Sequence, residues 1–294
     1  MLHTVADVKN PVANNAVFST NRTSVLKAIG SRYAPAAPCA GLEFISKSKR
    51  KCVFIGKPCD VSALRNVQAI DISVRENVGF AIGIFCAGTP SQKGTLDLLC
   101  KNAVELNTVR ALNYRGNGWP GWFCAKSECG NDLKVPYPES WSFLQKYRPF
   151  RCYLCADGTS ETADVSCGDA WYLRGKEENG ISLIIVRNEN GRRILHSAVE
   201  KGFITVRQVA NQNVFRSQEQ LFSRQKEIWG RLQTLKAFGI PVPKYVGWPL
   251  ARNWISLSMS LKVKSVGSTL KRIMQRKLFT PVKIGETKGM PSNE

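Results

Sequence analysis

Two stretches of the chain follow one plan, and they restrict the fold more than anything else in it. CVFIG (52–56) is a short apolar run of strand-forming residues, and three residues later the helix-compatible DVSALRNVQ begins, with Asp60 in the place of an N-cap. GFAIGIF (79–85) repeats the plan. It is followed by Cys86, a Gly-Thr-Pro turn, and a segment from Ser91 whose Leu96, Leu99, Cys100, Ala103 and Leu106 share one helical face. Two strand–turn–helix units in succession predict parallel strands, because a helical crossover returns the chain to start the next strand at the same end. VRALNYR (109–115) reads as a third strand and SLIIVRN (182–188) as a later buried one. GRRILHSAVEKG reads as a short helix leading into FITVRQV. The expected class is α/β, a mostly parallel sheet with flanking helices plus a basic C-terminal helical extension.

A chain of 294 residues has room for one large domain with an appendage, or for two modest ones. Its ten cysteines do not read as a secreted disulfide scaffold: the chain is too long, and MLHTVADVKNPVANNAV has no apolar signal core. No run approaches the roughly 18 apolar residues of a membrane span. The expected location is therefore cytoplasmic, with reduced thiols available to bind metal.

The cysteines are placed where such a sheet gathers ligands. Cys59 and Cys86 each follow a predicted strand, and loops at strand carboxyl ends converge on ligands in open α/β sheets. Cys152 and Cys155 form a Cys-x-x-Cys pair in RCYLCADG, a spacing that lets two thiolates share one ion or one cluster face. Spacing alone leaves iron–sulfur, zinc and plain packing open. Cys124 and Cys129 lie upstream, so 124, 129, 152 and 155 also fit a four-cysteine zinc ribbon, while free cysteine is often a small buried hydrophobe. A thioredoxin-like dithiol fits less well, since no helix follows the pair to depress a thiol pKa.

Other chemistry is poorly supplied. Gly116-Asn-Gly118-Trp-Pro-Gly121 matches G-x-G-x-x-G, yet Pro120, Gly121 and the tryptophans oppose the helix start that a dinucleotide fingerprint requires. A rigid loop is expected instead. Its glycines would let backbone amides approach an anion, with Trp119 or Trp122 stacking on a planar ring and Arg115 pairing with phosphate; the simpler reading is a tight turn with its tryptophans on the core. His3 falls in a terminus expected to fray and His196 on a short helix, which disfavours a Ser-His-Asp hydrolase. No Walker loop is present. Redox chemistry on a bound cofactor remains.

At this point the blocks resemble a known family. VFIGKPCDVSALRN, GFAIGIFCAGTP, NYRGNGWPGWF and RCYLCADGTSETADVSCGDAW, in that order, are similar to the beta-subunit family of the coenzyme F-420-reducing hydrogenases and dehydrogenases, over roughly residues 25–210. The resemblance implies a flavin iron–sulfur oxidoreductase: FAD beside one 4Fe-4S cluster, passing electrons between a redox partner protein and a hydride acceptor such as a deazaflavin coenzyme. Relatives of the same fold reduce chlorophyll intermediates or occur among polysaccharide-biosynthesis proteins, so substrate does not follow from membership. By resemblance the cluster ligands are Cys59, Cys86, Cys152 and Cys155. The candidate cofactor contacts are Lys57, Arg115, Asn117, Gly118 and Trp119. Asp157, Asp164 and Asp169 share the last block without an assigned role, and Cys39, Cys52, Cys100, Cys124, Cys129 and Cys167 form no second Cys-x-x-Cys unit. Members of the family commonly begin with a longer region that helps to hold the flavin. This chain is expected to start after it, with AIGSRYAPAAP (28–38) at the join and the flavin site less complete than the cluster site. The alternative from another class is a non-catalytic zinc- or cluster-binding α/β subunit of a polysaccharide-biosynthesis or other membrane-associated assembly.

The last third is a different kind of sequence. From Lys201 onward, 17 Lys/Arg face four Glu and no Asp, which places 13 of the 20 net positive charges there. SQEQLFSRQKEIWGRLQTLKAFG (217–239) reads as an amphipathic helix with a Ser217/Gln220 capping box, a face of Leu221, Ile228, Leu232 and Leu235, and an end at Gly239. WISLSMSLKVKSVGSTLKRIMQRKLF alternates at first and then turns helical. Such charge is usually a solvated face; an anionic membrane surface at the inner side of the cell or an acidic partner comes next, and no nucleic-acid module is recognised. The expected division is an N-terminal extension over 1–30, partly disordered; a cluster- and flavin-binding domain over 31–212; and a basic helical tail over 213–294, disordered after about 283.

Overall fold

The computed structural model describes residues 1–176 and 179–280, so the tail expected to be disordered lies outside the described residues. Among the described residues, nine strands form two sheets. The larger has the order β2-β1-β3-β4-β8-β9, from Asn14–Phe18, Leu2–Ala6, Cys52–Gly56, Val78–Ile84, Val165–Asp169 and Ser182–Val186. Strands β1, β3, β4 and β8 run parallel, and the two outer strands are antiparallel to their neighbours. The mostly parallel α/β class expected from the repeated units is what forms.

The first unit folds as its pattern directs. Cys52, Phe54 and Gly56 alternate into the core, where Phe54 meets Leu2, Val61, Leu64 and Ala81. Each such large side chain contributes about 1.5–3 kcal/mol on burial. The crossover helix Pro58–Ile70 begins two residues before the expected Asp60 cap. Pro58 takes the first helical position, where its missing N–H costs nothing, and Asp60 sits in the first turn accepting from the Lys57 N–H at 2.9 Å. The second helix, Gln92–Lys101, buries Thr95, Leu98 and Leu99.

Two expectations are corrected. VRALN (109–113) is a strand, β5, but it belongs to a separate antiparallel sheet with β6 (Trp122–Ser127) and β7 (Leu133–Pro136). Its second core contains Leu99, Val109, Leu112, Tyr114, Phe123 and Leu144. Strand periodicity reports burial on one face and says nothing about which sheet the strand joins.

The first 30 residues, expected to be a partly disordered extension, supply β1 and β2. Leu2 pairs with Phe54 and is buried beside it, and the hairpin loop is held by the Asp7 carboxylate, which accepts from the Lys9 and Asn10 N–H groups at 2.8 and 2.7 Å. His3 is therefore not frayed. Only 4% of it is exposed, its Nε2 lies 2.8 Å from the Ser19 hydroxyl, and burial holds its pKa below the usual imidazole value.

The chain divides into two compact units, Met1–Phe222 and Ser223–Glu294. In the second, Ile228, Leu232 and Leu235 of the helix Glu219–Ala237 are buried as expected, together with Ile273 of the helix Met259–Gln275. Gly239, at φ +67°, ends the first of these helices: its N–H donates to Lys236 O and that of Ile240 to Leu235 O. The Ser217 cap does not form. Ser217 is the last residue of the preceding helix Asn211–Ser217, and its hydroxyl donates back to Asn213 O at 2.8 Å. WISLSMS, expected to alternate, is also helical in part, over Leu250–Ile255. No described helix is long and apolar enough to cross a membrane.

Candidate functional site

The site is built at the carboxyl ends of β3, β4 and β8, neighbours in the sheet. After β3 the chain turns at Lys57 into the helix, which puts Cys59 in its first turn. Lys57 is held there, its ammonium 2.6 Å from Asp60 Oδ2. A helix N-terminus favours a thiolate, yet burial and the Asp60 carboxylate push the Cys59 thiol up to about 12, and Cys86 and Cys155 push in the same direction. Cys59 is therefore within electrostatic reach of both Cys86 and Cys155.

After β4 comes Cys86. Its N–H donates to Gly158 O at 2.9 Å, and the Gly88 N–H points at its sulfur from 3.4 Å. Gly88 has φ +115°, and a Cβ there would lie 2.5 Å from the Arg148 side chain and 3.3 Å from Cys152 Cβ. Cys152 thus stands against the backbone two residues beyond Cys86. It lies in the short helix Phe150–Tyr153, and Cys155 follows, its thiol donating to Asp157 O at 3.0 Å. The four expected ligands, Cys59, Cys86, Cys152 and Cys155, come to one neighbourhood from three segments. None of the ten cysteines is in a disulfide. Among the described residues no three His, Cys, Asp or Glu side chains are arranged to hold a single metal ion. Cys124 lies within β6 and Cys129 in the exposed turn after it, so the zinc-ribbon pairing would join a hairpin of the second sheet to this neighbourhood.

The end of β8 carries a second constellation. Asp169 receives a two-pronged ion pair from Arg115, both nitrogen–oxygen distances 2.8 Å, and a third hydrogen bond from Trp119 Nε1 at 3.0 Å. Trp119 stacks on Trp171 at 5.3 Å and 4°, Trp171 on Tyr137 at 6.0 Å, and the Arg115 guanidinium lies about 5 Å above both Trp171 and Tyr137. Burial alone would lower the Arg115 pKa, but the Asp169 hydrogen bonds and charge outweigh it and raise it. The Gly116–Gly121 turn that sets these groups is a rigid loop, as expected: Gly116, Asn117, Gly118 and Gly121 all have positive φ, and a Cβ on Gly121 would overlap Gly116 O. Arg115 and Trp119 are thus brought together, but their polar groups are engaged by Asp169 and do not stand open to phosphate. Asn117 and Gly118 are exposed at the loop tip.

The sequence named Asp157, Asp164 and Asp169 but assigned them no role. Asp164 accepts from the Ala81 N–H at 2.7 Å, Asn188 Nδ2 at 2.7 Å and Arg65 at 3.0 Å, which locks β4 to the crossover helix and to the helix Glu189–Glu200. Asp157 is 8% exposed, and its carboxylate accepts from the N–H groups of Thr159, Ser160 and Glu161 at 3.0, 2.7 and 3.0 Å. Desolvation raises its pKa against the pull of those N–H groups and of Arg187. The signal available in the sequence was three aspartates among small residues in a block that already held the Cys-x-x-Cys pair. An open groove of about 990 Å³ lies elsewhere, against Leu96, Cys100, Val104 and Arg110, and contains none of the candidates.

Residues 49–212, more than half of the chain, match the sequence profile that describes the C terminus of the coenzyme F420 hydrogenase/dehydrogenase beta subunit. The chain belongs to this family. It is 26% identical over 194 residues to the coenzyme F420 hydrogenase subunit beta of Methanosarcina barkeri, covering 64% of this chain and 62% of that protein. It is 24% identical over 231 residues to the protein of that name from Methanococcus voltae, covering 76% and 78%. To the F420-dependent formate dehydrogenase subunit beta of Methanocaldococcus jannaschii it is 25% identical, covering 65% of this chain and 48% of that one. The chain thus spans less than two thirds of the first relative and about half of the third. A chain of the F420-reducing [NiFe] hydrogenase complex from Methanosarcina barkeri shares the fold at TM-score 0.55 and 21% identity, over 95% of this chain and 80% of that one. The family profile begins just before β3 and so takes in the whole candidate site.

Proposed function

We propose that this member of the F420 hydrogenase/dehydrogenase beta-subunit family is an oxidoreductase subunit that carries a 4Fe-4S cluster on Cys59, Cys86, Cys152 and Cys155 beside a bound FAD. A single observation supports the reading: four cysteines from three separate segments lie in one neighbourhood beside the carboxyl ends of β3 and β4, within the part of the chain that matches the family. A cluster of four irons reaches across more space than one ion, which suits thiols that do not close on a point. When bound, the cluster supplies one-electron transfer and the flavin couples it to a two-electron hydride acceptor, for which a deazaflavin coenzyme is proposed.

The chain's own residues prepare the site. Cys59 in a helix first turn, and Cys86 with the Gly88 N–H on its sulfur, offer thiolates stabilised by backbone dipoles once a cation joins them. The exposed Asn117–Gly118 tip is the proposed contact for flavin phosphate. Arg115 and Trp119, tied to Asp169 and Trp171, are proposed to shape the loop that presents this tip. The electron donor is proposed to be a partner subunit, as the names of the relatives suggest.

Anaerobically purified protein should be brown, contain iron and acid-labile sulfide in about equal amounts, and release flavin on heating. Alanine at Cys152 should remove the iron, whereas alanine at Cys124 should leave it. Colourless protein carrying zinc that is lost in Cys124→Ala would overturn the reading in favour of a zinc-binding subunit.

A further inference from the structure

Between the Cys-x-x-Cys pair and β8 the chain makes a passage that no cluster ligand by itself requires. Gly158 O receives the Cys86 N–H, Ser160 lies over Gly83, and the Asp164 N–H donates to Ala81 O at 2.9 Å, so the segment runs back along β4 from its carboxyl end before β8 begins. Its first turn is wound round the Asp157 carboxylate, which collects three successive N–H groups, while the Asp157 carbonyl receives the Cys155 thiol. Arg187 closes the other side: one nitrogen donates to Thr159 O at 2.8 Å and another to the Ser166 hydroxyl at 2.9 Å. Ser160 takes a left-handed φ of +60°, a conformation that the Asp157 hydrogen bond to its N–H helps to hold. Two thiols from different segments are therefore joined through one short path, from Cys155 through Asp157 and Gly158 to the Cys86 backbone.

We propose that Asp157 is a positioning residue that fixes Cys155 against Cys86 and so presets the spacing of the thiol site. The proposal rests on the reading of that site as a cluster centre, but it concerns the spacing of the two sulfurs before any cluster is present. Removing the carboxylate takes the acceptor from two buried N–H groups, of Thr159 and Ser160, and from the part-buried one of Glu161, and the turn relaxes to find water or other acceptors. The Asp157 and Gly158 carbonyls, which hold Cys155 and Cys86, move with it.

The test uses full-length protein freed of metal under anaerobic reducing conditions and then treated with dibromobimane, which becomes strongly fluorescent when it bridges two nearby thiols. Mass spectrometry of the digested product counts the Cys86–Cys155 bridge separately from bridges to Cys59. In Asp157→Ala the rate of that bridge should fall by about tenfold, the scale set by losing hydrogen bonds to a charged group. Asp157→Asn keeps one oxygen for Thr159 and Ser160 but turns an amide donor toward the Glu161 N–H, so its rate should lie between wild type and Asp157→Ala. A wild-type bridging rate in folded Asp157→Ala would overturn the proposal. If that variant does not fold, a wild-type rate in Asp157→Asn overturns it and a reduced rate sustains it. Iron content after reconstitution is read in parallel. Absence of iron in the wild type with bridging still dependent on Asp157 would sink the cluster reading alone, whereas full iron loading with bridging independent of Asp157 would sink this one alone.

Discussion

At the scale of single residues, Asp169 is where the structure says most that the sequence did not. Arg115 stood out early as a cation beside a glycine loop, and its expected partner was phosphate; the partner present in the fold is a carboxylate 54 residues further on. The Arg115 side chain is 11% exposed and that of Asp169 31%, so the pair is neither a surface bridge nor a fully buried one. Breaking a buried pair costs about 3–5 kcal/mol and an exposed one under about 1, which places Asp169→Asn at about 2 kcal/mol of lost stability by urea unfolding. The one oxygen that asparagine keeps fits the Oδ1 place, which serves both Trp119 Nε1 and Arg115 Nη2, so the loss falls on the Arg115 Nη1 bond and on the charge, and tryptophan fluorescence should change little. Arg115→Lys should recover little of the stability, because one ammonium cannot serve both carboxylate oxygens in plane. A loss below about 0.5 kcal/mol in Asp169→Asn would mean that the stacked rings hold the loop without the ion pair. A distant partner of this kind is invisible to motif reading, since nothing local in NYRGNGW distinguishes an arginine waiting for phosphate from one already satisfied.

At the scale of elements, the passage of 158–164 along β4 depends on size. Gly83 faces Ser160 so closely that an added Cβ would overlap its hydroxyl, while the next neighbour, Ala163 Cβ, would lie 3.1 Å away. The Ser160 hydroxyl is buried without a hydrogen-bond partner among the described residues and its backbone is left-handed, so this side chain costs stability twice over. Gly83→Ala should therefore destabilise by about 1–3 kcal/mol through overpacking. Ser160→Gly should be neutral or stabilising, and the double variant should regain more than half of the Gly83→Ala loss. Additive effects of the two changes in a double-mutant cycle would refute direct contact as the cause. The strands on either side of this contact were legible for a plain reason. CVFIG and GFAIGIF are apolar runs flanked by turn residues, and parallel strands covered by helices leave that mark. LHTVA and NNAVF did not, because five-residue strands with two polar residues apiece are too short to establish a period, and their burial does not alternate either. The cysteines were legible because Cys-x-x-Cys and strand-end placement are local signals. Asp157 was not, because its role lies in which three amides it collects, and any short loop with an aspartate reads alike.

At the scale of the whole molecule, charge is the property that is least evenly shared. The unit Ser223–Glu294 holds 14 Lys/Arg against three Glu, a net +11 in 72 residues, where the other 222 residues carry +9. Within the smaller unit Arg231 is buried against Glu227. Burial lowers its pKa, Glu227 opposes this, and Arg272 and Arg224 lower it further, so other cations act on this arginine even where an acid is present. Self-repulsion of this size opposes compactness and is long-ranged at low ionic strength, where the screening length is about 30 Å at 10 mM salt and about 8 Å at 150 mM. Raising NaCl from about 10 to 300 mM should therefore raise the thermal midpoint by several degrees, since about 1 kcal/mol moves a small unit by roughly 4–8 °C. Were surface ion pairs the larger effect, the same screening would lower it. The exposed Lys264 and Lys271 on the helix Met259–Gln275 separate the causes. Lys264→Glu with Lys271→Glu should stabilise the protein in low salt and flatten its salt response, because each reversal removes a repelling charge and adds an attracting one. If the midpoint rises with sulfate well beyond its rise with chloride at equal ionic strength, and the double reversal abolishes only that excess, the cations act by binding an anion at a defined place and not through their summed field.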